Sequence, residues 1–454
     1  MKLLNKKNLK ISYFKNLVPS VTAMWVYSIY TIIDGIFVGR GVGSTALAGV
    51  NLSMPFINLI FASSIFFATG TSTLVSIHLG KKELKKAKEI FSYNLLIMIV
   101  FSFMLLVLTL YFIDNIVIFL GATENTFSVV KDYLSIIILF NVFFIVSYCL
   151  EVLTKADGFP HLAIIGVLIS AITNIILDYI FVIILGYGVK GAAYATGISQ
   201  IASCVFFFGH FLRKKSTLKL VKFKPSFNIL KRIIHIGFPD GITELTSGIV
   251  ILIFNQSILK VIGEDGIIIY SIICYVSTLV LMTMIGSTQG VQPLCSYYYG
   301  KNDLTSINYL LKLTFKVIAS ISLIIFILCF IFSPQIVKLF ISNGSIQLIN
   351  DSVWAFKIYS ISYLLLGFNI LCSGFCVSIE KPMFATIISL SRGFALIIIS
   401  LIICILLFGG KGIWLSPIIS EILCLFISFI CTKKSFSLIN NTKNVDFKKE
   451  NIIN

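Results

Sequence analysis

Four acidic residues interrupt long apolar stretches of this sequence and are the first candidates for chemistry. They are Asp34, Asp178, Glu244 and Glu421, and Asp240 beside Pro239 is a fifth in a shallower position. An ionisable side chain at bilayer depth costs at least about 2.5–3.5 kcal/mol on insertion scales, so it needs either a partner or a purpose. We therefore treat these acids as candidates for binding a proton or a metal cation.

Asn174 and Asp178 are separated by four residues and lie on one face of a helix. Carboxylate, amide and hydroxyl oxygens are ligands that suit a hard cation. Without a metal ion, two nearby carboxylates cannot easily both stay charged, so one takes a proton and the pair titrates as a unit. The alternative interpretation is that each acid is a hydrogen-bonded structural group.

The composition predicts the elements that must position these acids. Of the 454 residues, 57% are hydrophobic and 12% are charged, whereas soluble domains contain about a quarter charged residues. A bilayer core of about 30 Å needs roughly 20 apolar residues per helix, and such windows follow one another from Ile11 to Cys431. Segments such as 323–332 are continuously apolar, which excludes the alternating pattern of outer-membrane strands. We predict an all-α integral membrane protein.

Apolar stretches between turn and charge signals predict twelve transmembrane helices. The predicted ranges are 12–38, 47–78, 89–112, 129–153, 161–185, 190–212, 228–260, 266–296, 305–332, 350–376, 384–408 and 411–432.

An internal repeat divides these helices into two sets of six. The landmarks are Pro19 and Pro239, Gly80-Lys81 and Gly300-Lys301, Pro160 and Pro382, and 188–191 and 409–412, at offsets of 220 to 222 residues. Because six is even, both sets enter the membrane in the same direction, as in parallel-repeat transporters, and a central cleft lies between the two bundles.

The repeat predicts four regions: an N-terminal six-helix bundle (1–212), a cytoplasmic linker (213–227), a C-terminal six-helix bundle (228–432) and a cytoplasmic tail (433–454). Lysine and arginine concentrate in the linker, the tail and the short loops on one side, so both termini are expected in the cytoplasm. This placement of the net charge of +17 argues against a nucleic-acid partner.

Three motifs resemble those of the multidrug and toxic compound extrusion (MATE) transporters. They are Asp34–Arg40 (DGIFVGR), Asn174–Asp178 (NIILD), and Gln289–Leu294 (QGVQPL) followed by Tyr299-Gly300. The resemblance covers essentially the whole chain. Its details are closest to the bacterial branch that includes the DNA-damage-inducible and staphylococcal multidrug exporters.

The resemblance implies that Asp34, Asn174, Asp178 and Thr196 form a cation site in the N-terminal half. It also implies efflux of lipophilic, often cationic drugs and other xenobiotics, antibiotics included, by H+ or Na+ antiport with alternating access. The expected location is the bacterial cytoplasmic membrane, where the protein acts as a monomer among lipids. We expect no cofactor besides the coupling ion, and the Gly-Lys pairs lack the pattern of an ATP-binding loop.

A substrate cleft is the second expected site. Its candidate residues are Glu244, Gln289, Tyr27, Tyr30, Tyr275 and Met282. Glu421 corresponds to Gln200 in the repeat and is interpreted as a helix–helix hydrogen-bonding residue. Arg392 is expected to extend toward the membrane surface. A helix-ten acid found in some members of the family has no counterpart in this sequence.

Three other functions are alternatives to this interpretation. A lipid-linked oligosaccharide flippase of the same superfamily would carry cationic residues in its cavity, whereas here acids outnumber arginines in the apolar segments. An embedded enzyme would need a catalytic set at one depth, and no such set is recognisable. A channel would not move its substrate against a concentration gradient by coupling that movement to an ion.

Overall fold

Long apolar helices make up almost all of the computed structural model, which describes residues 6–340 and 345–453. The helices are α1 (Lys6–Gly41), α2 (Ser44–Gly80), α3 (Leu84–Tyr111), α4 (Ile113–Phe119), α5 (Glu124–Leu139), α6 (Asn141–Ala156), α7 (Pro160–Asp178), α8 (Gly188–Leu212), α9 (Phe227–Val261), α10 (Glu264–Gly300), α11 (Leu304–Ile331), α12 (Ser333–Phe340), α13 (Ile346–Ser360), α14 (Tyr363–Ser378), α15 (Pro382–Leu390), α16 (Leu396–Phe408) and α17 (Gly410–Ile453). Two π-helical stretches occur, Tyr179–Ile184 and Ser391–Ala395. Residues 1–5, which begin the predicted N-terminal bundle, and residue 454, which ends the predicted tail, lie outside the described residues.

The helical membrane fold predicted from composition is confirmed. Among the described residues, eleven helical segments are long and apolar enough to cross a bilayer, two of which combine α13 with α14 and α15 with α16. The bent pair of α5 and α6 makes a twelfth if it forms one span. The fourth predicted helix was expected to be continuous over 129–153. Instead, α5 and α6 are bent by 54° at Phe140. No proline or glycine in this stretch signalled the bend, which explains why the sequence pattern missed it.

The end predicted for the last helix, at residue 432, is wrong. Helix α17 continues to Ile453. After Thr432 the sequence contains neither glycine nor proline, so nothing in it ends the helix. The cytoplasmic location of residues 433–454 stays a prediction.

The chain forms two compact units. The first contains Met1–Gly248 and Gln289–Ile307, and the second contains Ile249–Thr288 and Asn308–Asn454. The unit boundaries fall inside α9, α10 and α11 rather than in the linker. The division into repeat halves at 213–227 therefore stays a prediction.

Within the first unit, two landmark glycines of the repeat mark a close helix crossing. A Cβ atom added to Gly80 of α2 would collide with the Tyr297 carbonyl oxygen of α10, and one added to Gly300 would collide with the Ile77 carbonyl oxygen of α2. The two contacts are related by the repeat, since Gly80 corresponds to Gly300 and Ile77 to Tyr297 at an offset of 220. Only residues without a side chain allow these backbones to approach so closely.

The linker between α8 and α9 is packed on the first unit. The backbone N–H groups of Thr217 and Leu218 donate to Asp157 Oδ1 at 2.9 and 3.1 Å, and Leu218 is fully buried. Val221 N–H donates to Ser92 Oγ at 2.9 Å. A basic segment expected to be a simple connection is thus held to the helices by side-chain acceptors.

Candidate cation site

Asn174 and Asp178 lie on the last turns of α7, and both side chains are fully buried. The π-helical stretch Tyr179–Ile184 begins directly after Asp178. π-Helical turns are rare in proteins overall, but those that do occur are often found at functional sites. The end of α1 packs here too, since a Cβ atom on Gly41 would lie 2.7 Å from the Val182 side chain.

Tertiary packing brings Asp34 of α1 to the same place. The carboxyl groups of Asp34 and Asp178 lie next to each other and next to the Asn174 amide, within hydrogen-bonding range if one carboxyl group carries a proton. The Asn174 Nδ2 group donates to Thr196 Oγ1 of α8 at 3.3 Å. All four residues assigned to the cation site are thus neighbours in the first unit.

The site has more acceptors than donors. In the described part of the chain, no donor reaches four of its buried oxygens: Asp34 Oδ1, both carboxyl oxygens of Asp178, and Asn174 Oδ1. Buried polar atoms are normally hydrogen-bonded, and ionised carboxylates can only accept. The arrangement can therefore take up a proton between the carboxyl groups, or a hard cation among their oxygens.

Two tyrosines near this site were not assigned to it from the sequence. Tyr133 of α5 is buried within electrostatic range of both Asp34 and Asp178. Tyr30, expected in the substrate cleft, lies within electrostatic range of Asp34. Tyr133 lies near the acids on a different helix, and nothing in its local sequence indicates this proximity.

Several expected cleft residues also meet within the first unit. Tyr27 packs edge-on against Tyr30 with ring centroids 5.2 Å apart and stacks on Phe61 at 5.6 Å. Glu244 lies within electrostatic range of Tyr27. Gln289 Nε2 donates to the hydroxyl of Tyr148 at 3.0 Å.

Tyr148 extends this aromatic group, because its ring lies 5.0 Å from that of Phe61. The shallow acid Asp240 accepts a 3.4 Å hydrogen bond from Gln292 in the same unit. Neither Phe61 nor Tyr148 was assigned from the sequence. Both lie in apolar segments where a single aromatic residue carries no distinguishing signal.

The two other cleft candidates, Tyr275 and Met282, belong to the second unit. Tyr275 stacks on Phe340 with ring centroids 5.6 Å apart, and 55% of it is exposed. Their assignment to a substrate cleft stays a prediction.

A buried ion pair in α6 was also missed. Glu151 and Lys155 are joined at 2.9 Å, and their side chains are 7% and 0% exposed. Lys155 lies in the last turn of α6, one residue from its end at Ala156, and the glutamate one turn earlier pairs with it inside the protein.

The second unit contains a contrasting acid. Glu421 Oε1 accepts from Arg392 Nε at 3.1 Å, and its Oε2 accepts from Asn369 Nδ2 at 2.6 Å. Asn369 Oδ1 in turn accepts from Ser428 at 2.8 Å. Glu421 is thus a helix-linking residue, as predicted. Arg392 does not extend to the membrane surface, because its guanidinium group is bound to this carboxylate and is mostly buried.

Taken together, the fold and the acid site define a multi-pass helical membrane protein with a buried pair of carboxyl groups in its first unit. The profile of the MatE family matches residues 19–180 and 241–404, and the chain belongs to that family. The two matches begin at residues 19 and 241, a spacing that agrees with the repeat landmarks.

Curated relatives include proteins named multidrug export protein MepA. The one from Staphylococcus haemolyticus (strain JCSC1435) is 30% identical over 427 residues, covering 92% of each chain. The one from Staphylococcus saprophyticus is 27% identical and covers 91% of this chain and 92% of the relative. The one from Staphylococcus aureus (strain N315) is 29% identical over 89% of each.

Solved structures support the fold. One is described as an outward-facing conformation of a multidrug resistance MATE family transporter of the MOP superfamily, with a TM-score of 0.90 at 21% identity over 95% of this chain and 97% of that chain. A MOP superfamily transporter from Pyrococcus furiosus, described as having reverse polarity of its binding pocket, has a TM-score of 0.89 at 22% identity over the same shares. At these identities, the likeness concerns the fold alone.

Proposed function

We propose that the chain is a secondary active exporter that couples the entry of H+ or Na+ to the export of drug-like molecules. The observation that carries this proposal is the group of four buried oxygens without a donor at Asp34, Asn174 and Asp178. A buried acid pair without a built-in positive partner is costly as two carboxylates. It is relieved when a proton or a metal cation binds.

The two coupling ions would use the site differently. A proton is shared by the facing carboxyl groups of Asp34 and Asp178, which leaves one negative charge. Na+ is held by the oxygens of Asp34, Asn174, Asp178 and Thr196, a set of hard ligands. Either ion changes the charge of the site by one unit, and this change biases one conformation of the transporter over another.

The energy available from one ion is sufficient for useful export. One monovalent cation gains about 2.3 kcal/mol in crossing 100 mV, and a tenfold concentration gradient contributes roughly 1.4 kcal/mol. At one-to-one coupling, the combined energy of about 3.7 kcal/mol supports a substrate gradient of several hundred-fold. A single ion site is therefore enough.

The substrate class follows from the relatives and from the aromatic cluster. The relatives named above are multidrug export proteins. Tyr27 stacks on Phe61, the Tyr148 ring packs edge-on against Phe61, and Glu244 supplies an acid near Tyr27. Aromatic faces and a carboxylate suit lipophilic cations. The protein works by alternating access as a monomer in the cytoplasmic membrane, with both termini in the cytoplasm.

Reconstitution in proteoliposomes tests this proposal. Export of a fluorescent cation is followed under separately imposed proton and sodium gradients. Asp34→Asn and Asp178→Asn should abolish gradient-driven export while expression stays normal. The matched control is Asp132→Asn, which removes an exposed carboxylate paired with Lys190 at 3.2 Å. Full export by both site variants would refute the assigned site.

A further inference from the structure

A surface groove of the first unit lies along the beginning of α9. We call it the α9 groove, and its volume is about 310 Å³. It is lined by four apolar and two basic side chains: Phe227, Leu230, Ile234, Phe238, Lys231 and His235. The apolar walls are not covered by other helices, since Phe227 is 76% exposed and Ile234 is 41% exposed. The α9 groove therefore combines uncovered apolar surface with positive charge.

A different face of α9 is packed against α2 and gives the groove a fixed base. A Cβ atom added to Gly237 would collide with the Phe66 carbonyl oxygen, and one added to Gly70 would collide with the Ile233 carbonyl oxygen. The ring of Phe238, a wall of the groove, lies 5.9 Å from that of Phe66. Because these backbones are in close contact, α9 cannot rotate the groove toward the interior without separating from α2.

The spacing of charges along α9 places the groove at the level of the lipid headgroups. After Arg232, the next lysine or arginine is Lys260, which lies in the last turn of α9. Lys231 and Lys260 are 29 residues apart, a helical length of about 44 Å, and a bilayer with its headgroup regions is about 40–45 Å thick. With Lys260 at one membrane surface, Lys231 lies among the headgroups of the other. Ile234 and Phe238 lie about 4.5 and 10.5 Å deeper, beside the acyl chains.

The linker before α9 adds positive charge next to the groove. From Arg213 to Arg232 the sequence contains eight lysine and arginine residues and no acidic residue. Lys222, Lys224 and Lys231 are exposed. In the part of the chain that the structure describes, no acidic side chain pairs with any of these three lysines. Their charge is therefore available to an anionic ligand.

The linker lysines are carried by a segment that is fixed to the first unit. Both carboxyl oxygens of Asp157 are occupied, because Oδ1 accepts from the linker backbone and Oδ2 lies 2.9 Å from His210 Nε2. Further along the linker, the Phe223 ring lies 5.5 Å from that of Tyr93 in α3. Phe223 thus holds the two exposed lysines on either side of it in place. A preorganised site loses less conformational entropy when it binds a ligand.

We propose that the α9 groove and the linker lysines form a binding site for an anionic phospholipid. Lys231 binds the phosphate, the linker lysines attract the negative headgroup, and one acyl chain covers Ile234 and Phe238. Basic segments beside a transmembrane helix attract anionic lipids in this way. A free phosphate would leave the apolar walls uncovered, and an uncharged lipid would leave the lysines unpaired. This site goes beyond the proposed function, since it lies outside the Asp34–Asp178 pair and does not depend on which ion drives export.

Lipid titration of the purified full-length protein in a neutral detergent tests this site, with bound lipid counted by native mass spectrometry. Phosphatidylglycerol should bind about tenfold more tightly, or better, than phosphatidylcholine with the same acyl chains, because only the former is anionic. Lys231→Gln should weaken phosphatidylglycerol binding by about fivefold, the effect of one basic residue near a membrane surface. Lys222→Gln with Lys224→Gln should act in the same direction. The matched control is Lys86→Gln, which removes an exposed lysine already paired with Glu83 at 3.2 Å and should leave binding unchanged.

The apolar part of the site has its own test. Ile234→Ala should weaken binding of phosphatidylglycerol, and free glycerol phosphate should not displace the lipid, because it cannot cover the apolar walls. Equal affinity for the two lipids would overturn the site. So would equal losses in Lys231→Gln and Lys86→Gln, which would indicate a diffuse charge effect, or displacement by glycerol phosphate at the lipid's own concentration. No ion gradient is used, so these results stand apart from any failure of the proposed antiport.

Discussion

Each compact unit buries an acidic residue deep among apolar helices, and the two surroundings are opposite in charge balance. In the first unit, Asp34 and Asp178 face each other, and the nearest polar partner is the neutral amide of Asn174. In the second unit, the Glu421 carboxylate receives both a guanidinium group from Arg392 and an amide from Asn369. One site lacks positive charge and the other contains it.

This difference distinguishes the proposed binding site from a structural link. A buried carboxylate with its own guanidinium group is already neutralised, so an incoming cation gains little from it. A pair of carboxyl groups with orphan oxygens gains much from a proton or a cation. Both units also place a π-helical stretch at these residues, Tyr179–Ile184 after Asp178 and Ser391–Ala395 around Arg392. The local backbone alone therefore does not decide function.

The largest effect is expected when the acid of each site is neutralised in turn. Asp178→Asn should abolish ion-driven export, a loss of at least about 100-fold and near the upper end of typical coupling effects, because the site can no longer change its charge. Glu421→Gln should leave export per folded molecule within about twofold, since its carboxylate binds no ion in this scheme. Export assays normalised to folded protein measure both. Equal losses in the two variants would break the comparison.

The stability of the same two variants should show the reverse order. Glu421→Gln leaves the Arg392 guanidinium without its carboxylate, at an expected cost of about 3–5 kcal/mol of unfolding free energy. Asp178→Asn removes a buried charge without a positive partner and should not destabilise the protein. Thermal unfolding in detergent measures both effects. A control double variant, Arg392→Met with Glu421→Leu, should recover most of the loss, because the pair is then replaced by apolar groups.

Ion binding should stabilise the protein through the first site only. A ligand at 100 times its Kd stabilises the folded state by about 2.7 kcal/mol. Lowering the pH, or adding Na+ if it is the coupling ion, should therefore raise the unfolding temperature of the wild type and of Glu421→Gln, but not of Asp34→Asn. Unfolding scans across a pH series and a Na+ series measure this. An unchanged response in Asp34→Asn would place the ion elsewhere.

The smallest effects concern one neutral hydroxyl in each site. Thr196→Val removes an oxygen from the first site and should weaken ion affinity by about tenfold, or roughly 1.4 kcal/mol, with little change in stability. Ser428→Ala removes the 2.8 Å hydrogen bond to Asn369 and should cost about 1 kcal/mol of stability with no change in ion affinity. Isothermal titration and thermal unfolding distinguish the two outcomes. If each variant showed the other's effect, the roles of the two sites would be exchanged.

The amino-acid sequence by itself determined the helical membrane fold, the repeat spacing of 220–222 and the shared helix face of Asn174 and Asp178. These features depend on local periodicity and on the cost of burying charge, and both can be recognised from the sequence of a single chain. Only the tertiary structure decided which buried charges meet. It paired Asp34 with Asp178 and Arg392 with Glu421, it buried the Glu151–Lys155 pair of α6, and it bent the fourth predicted helix at Phe140. Partners on different helices depend on how each helix is rotated and shifted against its neighbours, which packing sets and local sequence does not encode.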